Sequence, residues 1–144
     1  MRIKSFVSLL LLPLSLSFSI AHAGENQDSL YKRLGEKKAL VAVVDDFIGN
    51  VAADKRINGF FAKTDIPHLK KMLVEQLCAG TGGPCTYSGR DMKSSHAGLG
   101  IGGADFTALL ENLVTTLDKF KVPTAEKNEL LAILGPMKKD IVTK

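Results

Sequence analysis

Leu40, Val41, Val43, Val44, Phe47, Ile48, Val51 and Ala52 crowd into one run of the chain. Wound at 3.6 residues per turn they make one wide apolar stripe, whereas on a strand they would scatter over both faces. The same period returns downstream. Ile66, Leu69, Leu73 and Leu77 share a face, with Met72 beside them. Phe106, Leu109, Leu110, Leu113, Val114 and Leu117 form another stripe, and Leu130, Leu131, Ile133, Leu134, Met137 and Ile141 a last one. No alternating segment of useful length and no internal repeat breaks the series. The chain is expected to be all-α, with one domain and no linker.

Local signals divide the stripes. Asp28 or Ser29 can cap a short helix through Leu34 that Gly35 stops, and Gly59-Phe60-Phe61 reads as a tight apolar corner. Asp65 caps the next helix, with Pro67 tolerated in its first turn. "AGTGGP", residues 79–84, ends it through glycines that can take positive φ. A short helix is expected over Arg90–Ala97, ending at Gly98. Val122-Pro123 is a break, Thr124 is expected to cap the last helix, and Pro136 to kink it. The Arg90–Ala97 helix is polar and flanked by glycine-rich loops. Such a segment buries little, so something else must fill the space between it and the long helices.

The first residues are set apart from the fold. "MRIKSFVSLLLLPLSLSFSIAHAG" has a basic start at Arg2 and Lys4, an apolar run and a small-any-small ending, Ala21-His22-Ala23. That three-part pattern is a secretory signal peptide over residues 1–23, which leaves residues 24–144 as the domain and predicts a periplasmic or secreted protein. The run is too short and too broken by Pro13 and serines to span a membrane stably. Removing it takes away Arg2 and Lys4 and lowers the formal charge from +4 to +2. A nucleic-acid or membrane-surface partner is then not indicated. Two histidines remain, His68 and His96. In an oxidising compartment Cys78 and Cys85, the only cysteines, are expected to form a disulfide. They lack the Cys-x-x-Cys-His spacing of haem attachment, and with His68 and His96 they lack the short paired spacings of zinc sites.

"LYKRLG", "VVDDF", "FF", "GGP", "YSGRDMKSSHAGLGI" and "VP…LAILGPMKKDIV" occur in that order. Together they resemble the truncated haemoglobins of group 1, over about Leu30 to Val142. The run around His96 is the specific part; a lone Gly-Gly-Pro would not be. The resemblance implies a two-over-two helical sandwich around haem b, with His96 as the proximal iron ligand, as imidazole is in globins. It places Phe61 on the haem at the helix corner and Phe47 in the core beside the distal site. Tyr87, Arg90 and Met92 fall on the proximal side, with Arg90 within reach of a propionate. Gly82-Gly83 matches the exit from the distal helix, and Leu99, Phe106 and Leu110 are expected near the porphyrin.

The departures from the family pattern bear on function. Where the family usually carries a distal tyrosine stands Ile48, and two sites that often carry glutamine or another donor align with Leu69 and Leu73. The distal side therefore reads as apolar unless Gln76, one turn on, supplies a donor. Met72 sits where some members place a sixth ligand, with His68 as a second candidate. The expectation is an exported protein that binds oxygen, nitric oxide or carbon monoxide. The alternative is a small electron carrier with His96/Met72 ligation and a redox partner protein. No catalytic acid, base or nucleophile stands out, so any chemistry would belong to the haem.

Overall fold

The computed structural model describes residues 28–144, and over them each apolar stripe becomes helical, the last in two pieces. The elements are α1 (Leu30–Arg33), α2 (Glu36–Ala53), α3 (Ile66–Gly80), α4 (Met92–His96), α5 (Gly103–Lys119), α6 (Thr124–Leu134) and α7 (Lys138–Ile141). A 3₁₀ turn, Asn58–Phe61, makes the corner between α2 and α3. The signal-peptide reading concerns residues 1–23, which lie outside the described residues. Among the described residues no helix is long and apolar enough to cross a membrane.

The helix ends follow their chemistry. Ser29, not Asp28, caps α1 by accepting from the Lys32 N–H, while Asp28 pairs with the Lys32 ammonium. Asp65 accepts from the His68 N–H at 3.0 Å and starts α3. Two expectations need correction. Thr124 is the first residue of α6 rather than its cap; Pro123 holds the cap position and no side chain caps there. Pro136 does more than kink the last helix. It lies in a 3₁₀ turn, Gly135–Met137, that separates α6 from α7, because proline supplies no N–H to continue the α-helical ladder.

α2 is the central element. It packs on α3 along one side and on α5 along the other, while α1 rests on α6 and α4 on α7. This is a two-over-two sandwich of helices. Its buried side chains fall in two clusters. The larger holds Leu40, Val44, Val51, Leu77, Leu117 and Leu130 among others. The smaller comprises Ile101, Phe106 and Ile141, with Met92, Leu110 and Met137 against them. Phe60 touches both.

Polar ties fasten α2 to α5. Asn50 donates to the hydroxyl of the fully buried Thr116 at 2.9 Å, Thr116 donates to Asp46 at 3.2 Å, and Lys119 pairs with Asp46. At the end of α2, Asp54 accepts from Arg56 and, at 2.7 Å, from Asn112 of α5. The hydrogen bond from Lys119 holds the Asp46 carboxyl below its ordinary value against the opposing effect of burial, and that from Arg56 holds Asp54 well below it. Both groups therefore bind protons more weakly in the folded state than in the unfolded one. The stability they contribute is present above the ordinary aspartate value and is lost as pH falls towards the depressed one. Thermal unfolding followed from pH 7 to pH 3 is expected to show Tm falling below about pH 5. Asp54→Asn is expected to flatten that fall; an equally steep fall in the variant would contradict the assignment.

Candidate haem pocket

The polar α4 is built by one carboxylate. Asp91 accepts from the Ser94 N–H at 2.8 Å and from the Ser94 hydroxyl, and these bonds hold its carboxyl below the usual range. The Asp91 carbonyl accepts from the Ser95 hydroxyl at 2.8 Å. Gly98 and Gly100 then turn the chain away with φ of 75° and 66°, a region that disfavours a side chain. So a helix of five residues forms without an apolar face, and His96 stands at its last position.

The His96 ring has one nitrogen engaged. Nδ1 lies 2.7 Å from the Met92 carbonyl oxygen, one turn back, and 2.9 Å from Ser95 Oγ. A carbonyl can only accept, so Nδ1 carries the proton, and in the neutral ring Nε2 keeps its lone pair. A metal-ligating histidine is commonly arranged so, its second nitrogen donating to a carbonyl that fixes the tautomer.

His96 lines a cavity of about 580 Å³, within the usual range of cofactor sites. α2 contributes Phe47 and Ile48, the 3₁₀ turn contributes Phe60 and Phe61, and α3 contributes His68, Leu69, Met72, Leu73 and Gln76. Across from them stand Tyr87 and Arg90 from the connecting segment, Met92 from α4, Leu99, and Phe106 and Leu110 from α5. The residues that the resemblance places at the haem, from Phe47 to Leu110, thus border one space, while Gly82 and Gly83 do not. Its walls belong to both core clusters, so the void parts the two.

The cavity also has walls that periodicity did not assign to it. Met137 and Ile141 belong to the last apolar stripe, which marks them as interior without saying what they face. Gln76 is turned away from the role of a distal donor. Its amide nitrogen points at the Met92 sulfur (3.4 Å) and the Met137 sulfur (3.6 Å), on the side of α4. Ile48, Leu69 and Leu73 offer no hydrogen-bond donor.

Two ties hold the segment leading to α4 against α3. Cys78 and Cys85 are joined in a disulfide with their Cα atoms 5.7 Å apart. Glu75, one turn earlier on α3, accepts from the Ser88 hydroxyl at 2.7 Å and its N–H at 3.1 Å, which holds the Glu75 carboxyl low. The turn between the cysteines depends on Gly83. A methyl group there would come within 2.7 Å of Cys78 Sγ and of the Tyr31 ring. With both sulfurs bonded to each other, neither is a thiolate for a metal. A bridge closing so short a loop is expected to stabilise the fold by about 2–3 kcal/mol through the chain-entropy term. Urea unfolding of the Cys78→Ala/Cys85→Ala variant should show that loss, and thiol titration of the native protein should find no free thiol. Two titrating thiols would refute the bridge.

The residues present fit a planar metal macrocycle. Among the described residues no group of three His, Cys, Asp or Glu is placed to hold a metal ion. A lone imidazole suits a metal that arrives with its equatorial ligands already in place. Phe47, Ile48, Phe61, Leu69, Leu73 and Phe106 give the cavity an apolar wall against which a flat ring can pack. Arg90 and Lys71 border it and can face carboxylates on the ring edge.

Comparison with known proteins agrees with this layout. The family model described as bacterial-like globin matches residues 29–143. The chain is 34% identical over 116 residues to a group 1 truncated hemoglobin of Tetrahymena pyriformis, covering 81% of this chain and 96% of that one. It is 36% identical over 115 residues to the group 1 truncated hemoglobin GlbN of Mycolicibacterium paratuberculosis, covering 80% and 85%. The crystal structure of the Tetrahymena pyriformis protein in its Fe(III) form superposes with a TM-score of 0.78 over 81% of this chain and all of that one. A Synechococcus 2/2 hemoglobin, solved in the cyanomet state with covalently attached heme, superposes with a TM-score of 0.76 at 32% identity, over 81% of this chain and 100% of that one.

Proposed function

The chain belongs to the bacterial-like globins, among the group 1 truncated haemoglobins, and from that premise we propose that it is an exported haem b protein that binds a diatomic gas in an apolar distal pocket. The observation that carries this reading is the His96 ring, fixed through Nδ1 by the Met92 carbonyl, with its remaining nitrogen free at the edge of the cavity.

Haem, when bound, would supply an iron able to take up oxygen, nitric oxide or carbon monoxide, with His96 the residue that would hold it. The residues of the chain set its terms. His96 donates through Nε2, and the bond from Nδ1 to the Met92 carbonyl raises the basicity of the ring and fixes its plane. Arg90 and Lys71 offer charge to the propionates. Phe61, Leu69 and Leu73 keep water from the gas site. Ile48 gives no hydroxyl to a polarised ligand, so the pocket favours nitric oxide and carbon monoxide over lasting storage of oxygen. Export rests on the N-terminal pattern, and with it the periplasmic or secreted location.

A second reading has one observation in its favour. Met72 borders the cavity from α3 and is half-buried there, whereas His68 is exposed at the start of the helix. A thioether at that place could hold the iron together with His96, and His/Met ligation raises the reduction potential and suits an electron carrier. The absorption spectrum of the reduced protein, with and without carbon monoxide, separates the two. Gas binding predicts a five-coordinate reduced spectrum that shifts at once with carbon monoxide and is unchanged in Met72→Ala. A low-spin reduced spectrum that resists carbon monoxide, lost in Met72→Ala, would favour the carrier. Absence of any Soret band after supply of haem would defeat both.

A further inference from the structure

Three large apolar side chains are exposed among the described residues: Val41, Phe120 and Leu99, the last at 45%. Only Leu99 also lines the cavity. It stands between the two left-handed glycines, with its N–H 3.3 Å from the His96 carbonyl. One side of Leu99 meets solvent and the other meets the space beside the imidazole. No other residue of the three offers so short a route from the surface to the proposed haem.

Lysines stand on the segments next to Leu99. The Thr143 and Lys144 N–H groups donate to the Ile101 carbonyl, and the Lys144 side chain lies against Gly100. Lys138 reaches towards Gly103, and α4, which bears Lys93, rests on α7, which bears Lys138 and Lys139. None of these four lysines is in an ion pair among the described residues, whereas Lys70, Lys119 and Lys127 elsewhere each meet a carboxylate. Three carboxylates belong to the same elements, Asp91 at the start of α4, Asp105 in α5 and Asp140 in α7, and Asp140 stands against the lysines beside it. The first two are engaged, Asp91 with Ser94 and Asp105 with the Gly102 N–H at 2.8 Å. A shallow groove of about 550 Å³, lined by Pro136, Lys138, Lys139 and Val142, adjoins the patch.

We infer that the lysine-ringed surface around Leu99 is where an acidic electron-carrier protein docks to exchange one electron with the haem, an inference that rests on the haem reading above. Ferric iron does not bind oxygen or carbon monoxide, so a gas-binding globin must be re-reduced from outside. In the step the carrier loses one electron and ferric iron gains it; no bond forms or breaks and no proton moves. Unpaired lysines steer an anionic surface and a small apolar centre gives close contact, the arrangement that raises association rates at low salt. A membrane is less suited, since a single leucine offers little apolar area to insert.

The test uses the full chain reconstituted with haem. Reduced plant-type ferredoxin serves as the acidic one-electron donor and hexaammineruthenium(II) as a small cationic one, with rates followed at the Soret band. In the Lys93→Glu/Lys138→Glu/Lys139→Glu variant the ferredoxin rate is expected to fall about tenfold at low salt and to lose most of its salt dependence. The ruthenium rate is expected to hold or rise. An unchanged ferredoxin rate in a variant with a normal Soret band overturns the docking face alone. Equal slowing of both donors also overturns it, since the lysines would then act on the pocket rather than on docking. The same holds if these lysines govern co-sedimentation with phosphatidylglycerol vesicles while ferredoxin rates stay put. A wild-type chain with no Soret band refutes the haem reading, and this inference with it.

Discussion

His96→Gly is expected to abolish the Soret band of the protein purified with haem supplied, and millimolar imidazole to restore much of it. The ring is the one side chain in the cavity whose free nitrogen is set by an observed partner, Nδ1 being 2.7 Å from the Met92 carbonyl. Loss of a partner behind a metal ligand typically costs 10–100-fold in metal affinity, so loss of the ligand itself is expected to cost on the order of a hundredfold or more. Fold stability should fall far less, because α4 buries no residue fully and its hydrogen bonds run through Asp91, Ser94 and Ser95. Far-ultraviolet circular dichroism should therefore stay helical while colour is lost. Rescue by free imidazole distinguishes ligation from packing, since a small base can enter the space left by the ring. A glycine variant that keeps the pigment and its spectrum would remove the basis of the haem reading.

Ile48→Tyr is expected to slow oxygen dissociation five- to a hundredfold. Ile48 is buried at 5% exposure and borders the cavity from α2, and its wall neighbours Phe47, Leu69 and Leu73 carry no side-chain donor. Dioxygen at ferrous haem draws partial negative charge, and a phenol hydroxyl reaching it adds about 1 kcal/mol, or up to about 3 where charge is involved. Carbon monoxide carries little charge and its dissociation should change much less. Stopped-flow displacement of each gas gives both rates. Some loss of stability, about 1–3 kcal/mol, is expected from the added volume in a packed wall. Equal slowing of both gases would mean that the tyrosine merely narrows the exit, and the apolar character of the native pocket would then not set its preference.

Gln76 shows where a linear reading of the pocket stops. Its place one turn after Leu73 makes it a plausible donor for a distal ligand, and its spacing on α3 cannot say more. Its amide instead faces Met92 and Met137, which follow it by 16 and 61 residues. Only the tertiary approach of α4 and the Gly135–Met137 turn to α3 decides that. The break at Pro136 shows the same limit at a helix end. Proline removes one donor wherever it stands, but whether the chain bends or changes to a 3₁₀ turn depends on what α4 and α5 leave room for.

What the sequence by itself determined was local or carried by a motif. The apolar period fixed which segments are helices, because a helix face is set by residues three and four apart. Asp65 was legible as a cap and the first cap was narrowed to Asp28 or Ser29, because a cap bonds to a residue three positions on. The ordered run from Tyr87 to Ile101 pointed to the globin likeness and so to His96. The tertiary structure alone decided how these parts meet. It brought residues from α2, the 3₁₀ turn, α3, α4 and α5 around one space, and placed Leu99 with one side in water and one at that space. The physical reason is the range of the forces that choose. Hydrogen-bond caps and helical period act over a few residues, whereas a cavity exists only where side chains distant in the chain fail to touch.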